Sequence, residues 1–310
     1  MARVFVTREL PGPALDRLRA AHEVDVWPER LPPSPEQLRS HAGQADALLT
    51  LLTDRIDAEL IEAAPRLRAI ANYAVGYDNI DLAAANARGI RVGNTPDVLT
   101  DATADLTFAL LLAAARRLPE AADAVRHGDW LTWETGRYLG ADVHGATLGI
   151  IGMGRIGGAV ARRAEGFAMT VIHTGRVGGV PLAQLLEQAD FVSVHAPLTP
   201  QTHHLMDADA LARMRPSAIL INTSRGPIVD QAALRQALID GTIAGAGLDV
   251  TDPEPLPKDD PLLDAPNLIV VPHVGSATRT ARERMAEIAV ENLLAALAGQ
   301  PMPHPVGNGI

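Results

Sequence analysis

Three residue types able to handle a carboxylate and a proton follow apolar runs in the C-terminal half of the chain. Arg225 stands in "NTSRGPIVDQAALRQAL" just past "AILIN", Glu254 in "GLDVTDPEPLP", and His273 in "VVPHVGSAT". An arginine at the C-terminal end of a strand can clamp a carboxylate through its planar donor fork. A carboxylate hydrogen-bonded to an imidazole holds the ring in place and favours its charged form, which makes a proton donor usable near neutral pH. Glu254 and His273 are read as that pair. The plainer alternatives are a surface ion pair for Arg225 and a solvated imidazole for His273. The other histidines have weaker context: His22, His41, His127, His144 and His304 sit in no motif, and His203 and His204, in the polar "TPQTHHLM", are expected to be exposed.

Upstream, residues 148–157 read "LGIIGMGRIG". Gly152, Gly154 and Gly157 lie between the strand-like "ATLGII" and the helical "GGAVARRAEGF", the context in which G-x-G-x-x-G holds a dinucleotide. The first glycine permits the tight turn, the second the approach of a pyrophosphate to the backbone, and the third close packing of a helix whose N-terminus faces the phosphates. The next strand ends in "VIHTGR", which puts Gly175 and Arg176 where an acid commonly takes the adenosine ribose hydroxyls and repels a 2′-phosphate. Gly175 removes that repulsion, and Arg176 offers donors to the phosphate. NADPH is therefore expected over NADH, with NADH use still possible; the alternative is a solvated loop arginine.

Composition narrows the chemistry further. The formal charge of −10, with no basic stripe, argues against a nucleic-acid partner. The chain has no cysteine, which excludes thiol nucleophiles, disulfides and cysteine-ligated metals; no metal site is expected. Lys258, the single lysine, is followed by Asp259, so there is no phosphate-binding "GK[ST]" and no good Schiff-base candidate. The N-terminal "MARVFVTREL" lacks an apolar signal core, and no run approaches the ~18 apolar residues of a membrane span. The expectation is a cytoplasmic protein without membrane contact.

The elements that must position these residues form two series. With 310 residues, 47% of them hydrophobic, the chain can bury two cores rather than one. "ARVFVT", "EVDVW", "ADALLTLL", "LRAIANYA" and "GIRVGN" alternate with helical segments, and so do "TLGIIG", "TVIHTG", "FVSVHAP", "AILINTS", "AGAGLDV" and "LIVVPHV". This is the pattern of doubly wound parallel sheets. Between the series, residues 95–118 predict one buried helix starting near Pro96, and "RTARERMAEIAVENLLAALAG" predicts a long helix stopped by Gly299 that returns the chain to the first domain. The fold class is thus α/β with two Rossmann-like domains. A discontinuous flavodoxin-like substrate domain (1–96 and 282–310) carries an inserted NAD(P)-binding domain (97–281). Just before the glycine motif, "HGDWLTWETGRYLG" holds two of the three tryptophans in a stretch too rich in Gly and Thr for a helix. They either fill the domain's own core or serve another surface.

The ordered set "NYAVGYDNID", "GIRVGNTPDVLTDATAD", "TLGIIGMGRIGGAVARRAEGF", "INTSRGPIVDQAAL", "GLDVTDPEPLP" and "PHVGSAT" resembles the D-isomer-specific 2-hydroxyacid dehydrogenases over nearly the whole chain, most of all the glyoxylate/hydroxypyruvate reductases. The resemblance implies a catalytic cleft between two Rossmann-like domains and a homodimer formed through the nucleotide domain. It implies that Arg225 binds the substrate carboxylate and polarises the keto oxygen, that His273 is the acid/base, and that Glu254 holds it. The amides of Val75 and Gly76 would take the carboxylate, and Trp133 would cap a neighbouring subunit's substrate pocket. Thr103, Gly152, Gly154, Arg155, Ile156, Gly157, Thr174, Gly175, Arg176, His195, Pro197, Thr202, Thr223, Ser224, Asp249, His273 and Gly275 would line the cofactor. The implied activity is NADPH-preferring reduction of small 2-keto acids, glyoxylate and hydroxypyruvate, to the 2-hydroxy acids. The alternatives are a D-lactate or phosphoglycerate type of dehydrogenase, and a non-catalytic dinucleotide-sensing dimer that binds protein partners. The lack of an added interaction tail favours the enzyme.

Overall fold

The structure is a computed structural model that describes residues 1–307. The chain divides into two compact units, Met1–Leu99 with the segment from Ala277 onward, and Thr100–Ser276. These limits lie a few residues from the boundaries expected at 96/97 and 281/282.

The first unit begins with β1 (Arg3–Val6), α1 (Ala14–Ala21), β2 (Glu23–Val26), α2 (Pro35–Ala42), β3 (Ala47–Thr50), α3 (Ala58–Glu62), β4 (Ala69–Asn72), α4 (Leu82–Ala87) and β5 (Arg91–Gly93). The strands pair in parallel in the order β2-β1-β3-β4-β5, the flavodoxin-like arrangement. Every residue of β3 and β4 is buried, as expected for central strands covered on both faces. Short polar side chains start the helices. Ser34 and Gln37 form a capping box on α2, with Pro35 in its first turn, and Asp57 and Asp81 cap α3 and α4.

The second unit holds α5 (Thr100–Ala115), α6 (Leu118–His127), β6 (Thr147–Ile151), α7 (Arg155–Glu165), β7 (Thr170–Thr174), α8 (Leu182–Gln188), β8 (Phe191–Val194), α9 (Ala208–Arg213), β9 (Ile219–Asn222), α10 (Gln231–Ile239), β10 (Gly245–Leu248) and β11 (Leu268–Val270). Its six parallel strands run β11-β10-β9-β8-β6-β7. The chain order reverses at β6, which lies between β7 and β8, so the crevice beyond the C-terminal ends of β6 and β8 is the expected ligand site. The single helix predicted over residues 95–118 is instead two. Asp97 is left-handed (φ 71°), so the helix starts at Thr100 and not at Pro96, and Arg117 (φ 51°) breaks the chain before Leu118 and Pro119 open α6.

The chain then returns to the first unit through α11 (Arg279–Leu297), capped by Thr278, which buries Met285, Ile288 and Leu293. Gly299, at φ 78°, follows its end as the sequence predicts.

Candidate active site

The glycine motif forms the turn between β6 and α7. Gly152 has φ +98°, and a Cβ there would lie 2.6 Å from the amide nitrogen of Ala196, so only glycine lets the loop after β8 come this close. A Cβ on Gly157 would meet the Gly152 carbonyl oxygen at 2.3 Å, which is how the first turn of α7 packs onto the loop. Gly154 differs: nothing lies within 4 Å of the position its Cβ would take, and as the residue before α7 it makes no side-chain cap. The exposed Gly154, with open space where its side chain would be, thus immediately precedes the N-terminus of α7, the setting in which a helix N-terminus receives phosphate. The residues present fit a dinucleotide.

The neighbouring strand ends supply the rest. Thr174 ends β7 and bridges to Gly179, so Gly175 and Arg176 lie on a short exposed loop, closed by Val180 N–H donating to the His173 carbonyl at 2.8 Å. Arg176 has no hydrogen bond or ion pair among the described residues. After β8, His195 Nε2 lies 2.8 Å from Ser193 Oγ, and burial pushes its imidazole down to about 4, so the ring is neutral near pH 7. Thr202 Oγ1 donates to the Pro197 carbonyl at 2.6 Å and accepts from Thr199 N–H at 2.8 Å, closing the loop between them. Thr223 Oγ1 lies 3.0 Å from Thr107 Oγ1 of α5, one turn beyond the buried Thr103, whose carbonyl accepts from Thr107.

The proposed catalytic residues follow β9, β10 and β11. Asn222, the buried last residue of β9, accepts from Ser224 N–H at 3.0 Å and donates to the Arg225 carbonyl at 2.9 Å. Ser224 Oγ donates to the Ala196 carbonyl, and Arg225 Nη1 to the Ser224 carbonyl at 2.8 Å. A Cβ on Gly226 would lie 1.9 Å from the Thr251 carbonyl oxygen, so the Arg225 loop packs directly on the segment leading to Glu254. Glu254 Oε1 is hydrogen-bonded to His273 Nδ1, with His273 half-buried and Glu254 at an exposed position. That contact leaves Nε2 as the nitrogen that can meet a ligand. His273 is itself in the left-handed region (φ 51°), held there by its N–H donating to the carbonyls of Asp249 (2.9 Å) and Val271 (3.0 Å). Asp249, buried after β10, accepts from Val274 N–H at 2.6 Å and Gly275 N–H at 2.8 Å. Burial raises its carboxyl above the usual range, against those two hydrogen bonds and the nearby His273.

In the first unit, Val75 and Gly76 form a half-buried loop after β4. Asn72 Nδ2 donates to the Gly76 carbonyl at 2.8 Å and Asn94 Nδ2 to that of Val75 at 2.7 Å, while neither amide has an acceptor among the described residues.

Trp133 is not with the triad. It and Trp130 are 81% and 69% exposed, so neither fills the core of its own unit. Trp133 lines a cavity of about 290 Å³ beside α6 with Ala124, Val125, Trp130 and Tyr138, and none of Arg225, Glu254 or His273 reaches it.

The sequence motifs omit the residues that aim these groups: Asn72, Asn94 and Asn222. For Asn72 and Asn222 the signal is an asparagine at the C-terminal end of a buried apolar strand, as in "AIAN" and "ILIN", where an unpaired amide would be costly without a loop to hold.

The pattern of the D-isomer specific 2-hydroxyacid dehydrogenase NAD binding domain matches residues 108–275. The chain belongs to the D-isomer specific 2-hydroxyacid dehydrogenase family and is an NAD(P)-dependent oxidoreductase. It is 51% identical to a glyoxylate reductase of Korarchaeum cryptofilum, over 99% of this chain and 96% of that one. Among solved structures, it is similar to the TT0316 protein from Thermus thermophilus (52% identity, TM-score 0.93, covering 98% and 100% of the two chains). It is also similar to an NADPH-dependent glyoxylate/hydroxypyruvate reductase from Sinorhizobium meliloti in complex with NADP and malonate (35% identity, TM-score 0.88, covering 99% and 97%).

Proposed function

We propose that the protein is an NADPH-preferring reductase of small 2-keto acids, glyoxylate and hydroxypyruvate first among them, with His273 as the general acid. The carrying observation is the fixed ring of His273: Glu254 holds Nδ1, and Arg225 follows a neighbouring strand on a loop packed against the Glu254 segment. Glyoxylate reductases about half identical over nearly full length support the substrate class.

The cofactor would be held by the turn from Gly152 to Gly157, with Thr174, His195, Pro197, Thr202, Thr223 and Asp249 along its length and Arg176 on the 2′-phosphate. When bound, it supplies hydride to the keto carbon. Protonated His273 gives its Nε2 proton to the carbonyl oxygen, and Glu254 keeps Nδ1 occupied so that Nε2 is the donor. Arg225 pairs with the carboxylate and places positive charge where alkoxide develops. In the first unit, considered by itself, the amides of Val75 and Gly76 form a carboxylate-binding pair.

A second copy of the chain would cover the segment around Trp130 and Trp133, with Trp133 limiting the partner's substrate size. The support is the exposure of both indoles in one unit with the cavity beside α6.

The test is oxidation of NADPH and of NADH with glyoxylate, hydroxypyruvate and a branched 2-keto acid. Faster turnover of the two small acids with NADPH supports the reading. Cofactor binding without turnover of any acid would instead favour a non-catalytic dinucleotide sensor.

A further inference from the structure

We propose that Asn94 is a positioning residue for the substrate carboxylate, acting through the Gly76 amide of the Val75–Gly76 loop, with Asn72 fastening the next carbonyl of the same loop. The proposal rests on the reductase reading above, in which the amides of that loop receive the carboxylate.

Three consecutive carbonyls in this loop are fixed from the protein side. Thr95 N–H donates to Ala74 at 2.9 Å, Asn94 Nδ2 to Val75 at 2.7 Å, and Asn72 Nδ2 to Gly76 at 2.8 Å. These peptides are trans, and a trans peptide is planar with its C=O and N–H pointing in opposite directions. Fixing the Ala74 carbonyl therefore aims the Val75 N–H away from Thr95. Fixing the Val75 carbonyl likewise aims the Gly76 N–H away from Asn94. The two donors face outward from the clamps, and neither has an acceptor among the described residues. Adjacent amides held this way suit the two oxygens of a carboxylate, at no cost in loop entropy on binding.

The clamps are themselves fastened. Asn72, fully buried, accepts from Thr50 Oγ1 at 3.0 Å and donates to Asn79 Oδ1 at 3.0 Å, and Asn79 Nδ2 holds the carbonyls of Leu51 (3.1 Å) and Asp54 (2.9 Å). The Asn94 carbonyl accepts from Asn292 Nδ2 of α11 at 3.0 Å, and Asn292 is also fully buried. Of the two, Asn94 is the simpler probe. It controls the single peptide plane carrying the Gly76 N–H, and its side chain makes no other hydrogen bond to the described residues.

The experiment compares Asn94→Ala and Asn94→Asp with the wild-type enzyme, using glyoxylate and its neutral amide as substrates. Aspartate keeps the shape but removes the donor. The expected result is a KM for glyoxylate raised about tenfold, the size of one lost hydrogen bond of ordinary strength. The kcat, the KM for NADPH and the KM for the neutral amide should stay within about twofold of wild type on that same scale. Asn72→Asp, which frees the peptide plane of the Tyr77 N–H and not that of Gly76, should raise the KM for glyoxylate less than Asn94→Asp. An unchanged KM for glyoxylate in folded variants overturns the proposal, as does an equal loss with both substrates. Failure of all three variants to fold would make the asparagines structural and also overturn it. A wild-type enzyme that reduces no 2-keto acid would instead defeat the reductase reading, which separates the two failures.

Discussion

At the scale of single residues, the proposed reductase carries its proton on His273 and its cofactor choice on Arg176. His273→Ala removes the acid while leaving the glycine turn untouched. It is expected to lower kcat for glyoxylate by about 10²–10⁴, the usual worth of general acid catalysis, with NADPH binding unchanged by fluorescence titration. A kcat within a few-fold of wild type would assign the proton to another group. Arg176→Ala tests the phosphate contact. The guanidinium is exposed and has no protein partner among the described residues, so its loss costs the fold little. A hydrogen bond to a charged group is worth about 1.5–3 kcal/mol, so the ratio of kcat/KM for NADPH over NADH should fall about 10- to 100-fold, chiefly through the KM for NADPH. Equal loss with both cofactors would place Arg176 elsewhere. Arg225, Glu254 and His273 were legible because each residue type sits in a short motif after an apolar strand. Asn94 was not, because an asparagine after a strand's end reads the same whether it clamps a carbonyl or faces water.

At the scale of elements, each strand-to-loop junction trades a special backbone geometry for the aim of one side chain. Gly152 and Gly226 let loops approach closer than a Cβ permits, and His273 is held left-handed by carbonyls of β10 and β11 neighbours. The strands β6, β9 and β10 were legible as apolar runs of four to five residues closed by Gly, Asn or Asp. The break at Arg117 was not, because Ala, Arg and Leu on either side favour helix and nothing in "AAARRLPE" marks a left-handed arginine before the proline. The loop after β8 also carries a pH dependence. The His195 ring is lowered from 6.5 to about 4 by burial, so the folded state binds fewer protons than the unfolded state in that window. Its contribution to stability is complete above about 6.5 and is lost as the pH falls toward 4. Urea unfolding of the protein without cofactor should show His195→Asn with a shallower loss of stability between those pH values than wild type. Parallel curves would mean that His195 titrates alike in both states.

At the scale of the whole molecule, two parallel-sheet units were readable from the alternation of strands and helices, and the reentry of α11 from the long helical run that follows "PHVGSAT" and stops at Gly299. The sequence left open whether Trp130 and Trp133 fill a core or lie on a surface, since a tryptophan pair is at home in either; their exposure separates the cases. If a second copy covers them, light scattering gives about twice the 32.8 kDa chain mass. Trp133→Ala should then raise kcat/KM for a branched 2-keto acid relative to glyoxylate while leaving the KM for NADPH unaltered. A fully active monomer would exclude a cross-subunit role, and unchanged selectivity in a dimeric variant would exclude Trp133 as the cap. The claim on which the rest depends is that the protein reduces small 2-keto acids to D-2-hydroxy acids. Its most direct test is chiral separation of the product formed from hydroxypyruvate and NADPH. The expected product is D-glycerate, in amounts equal to the NADPH consumed. Formation of L-glycerate, or no turnover of hydroxypyruvate or glyoxylate by folded protein that binds the cofactor, would contradict it.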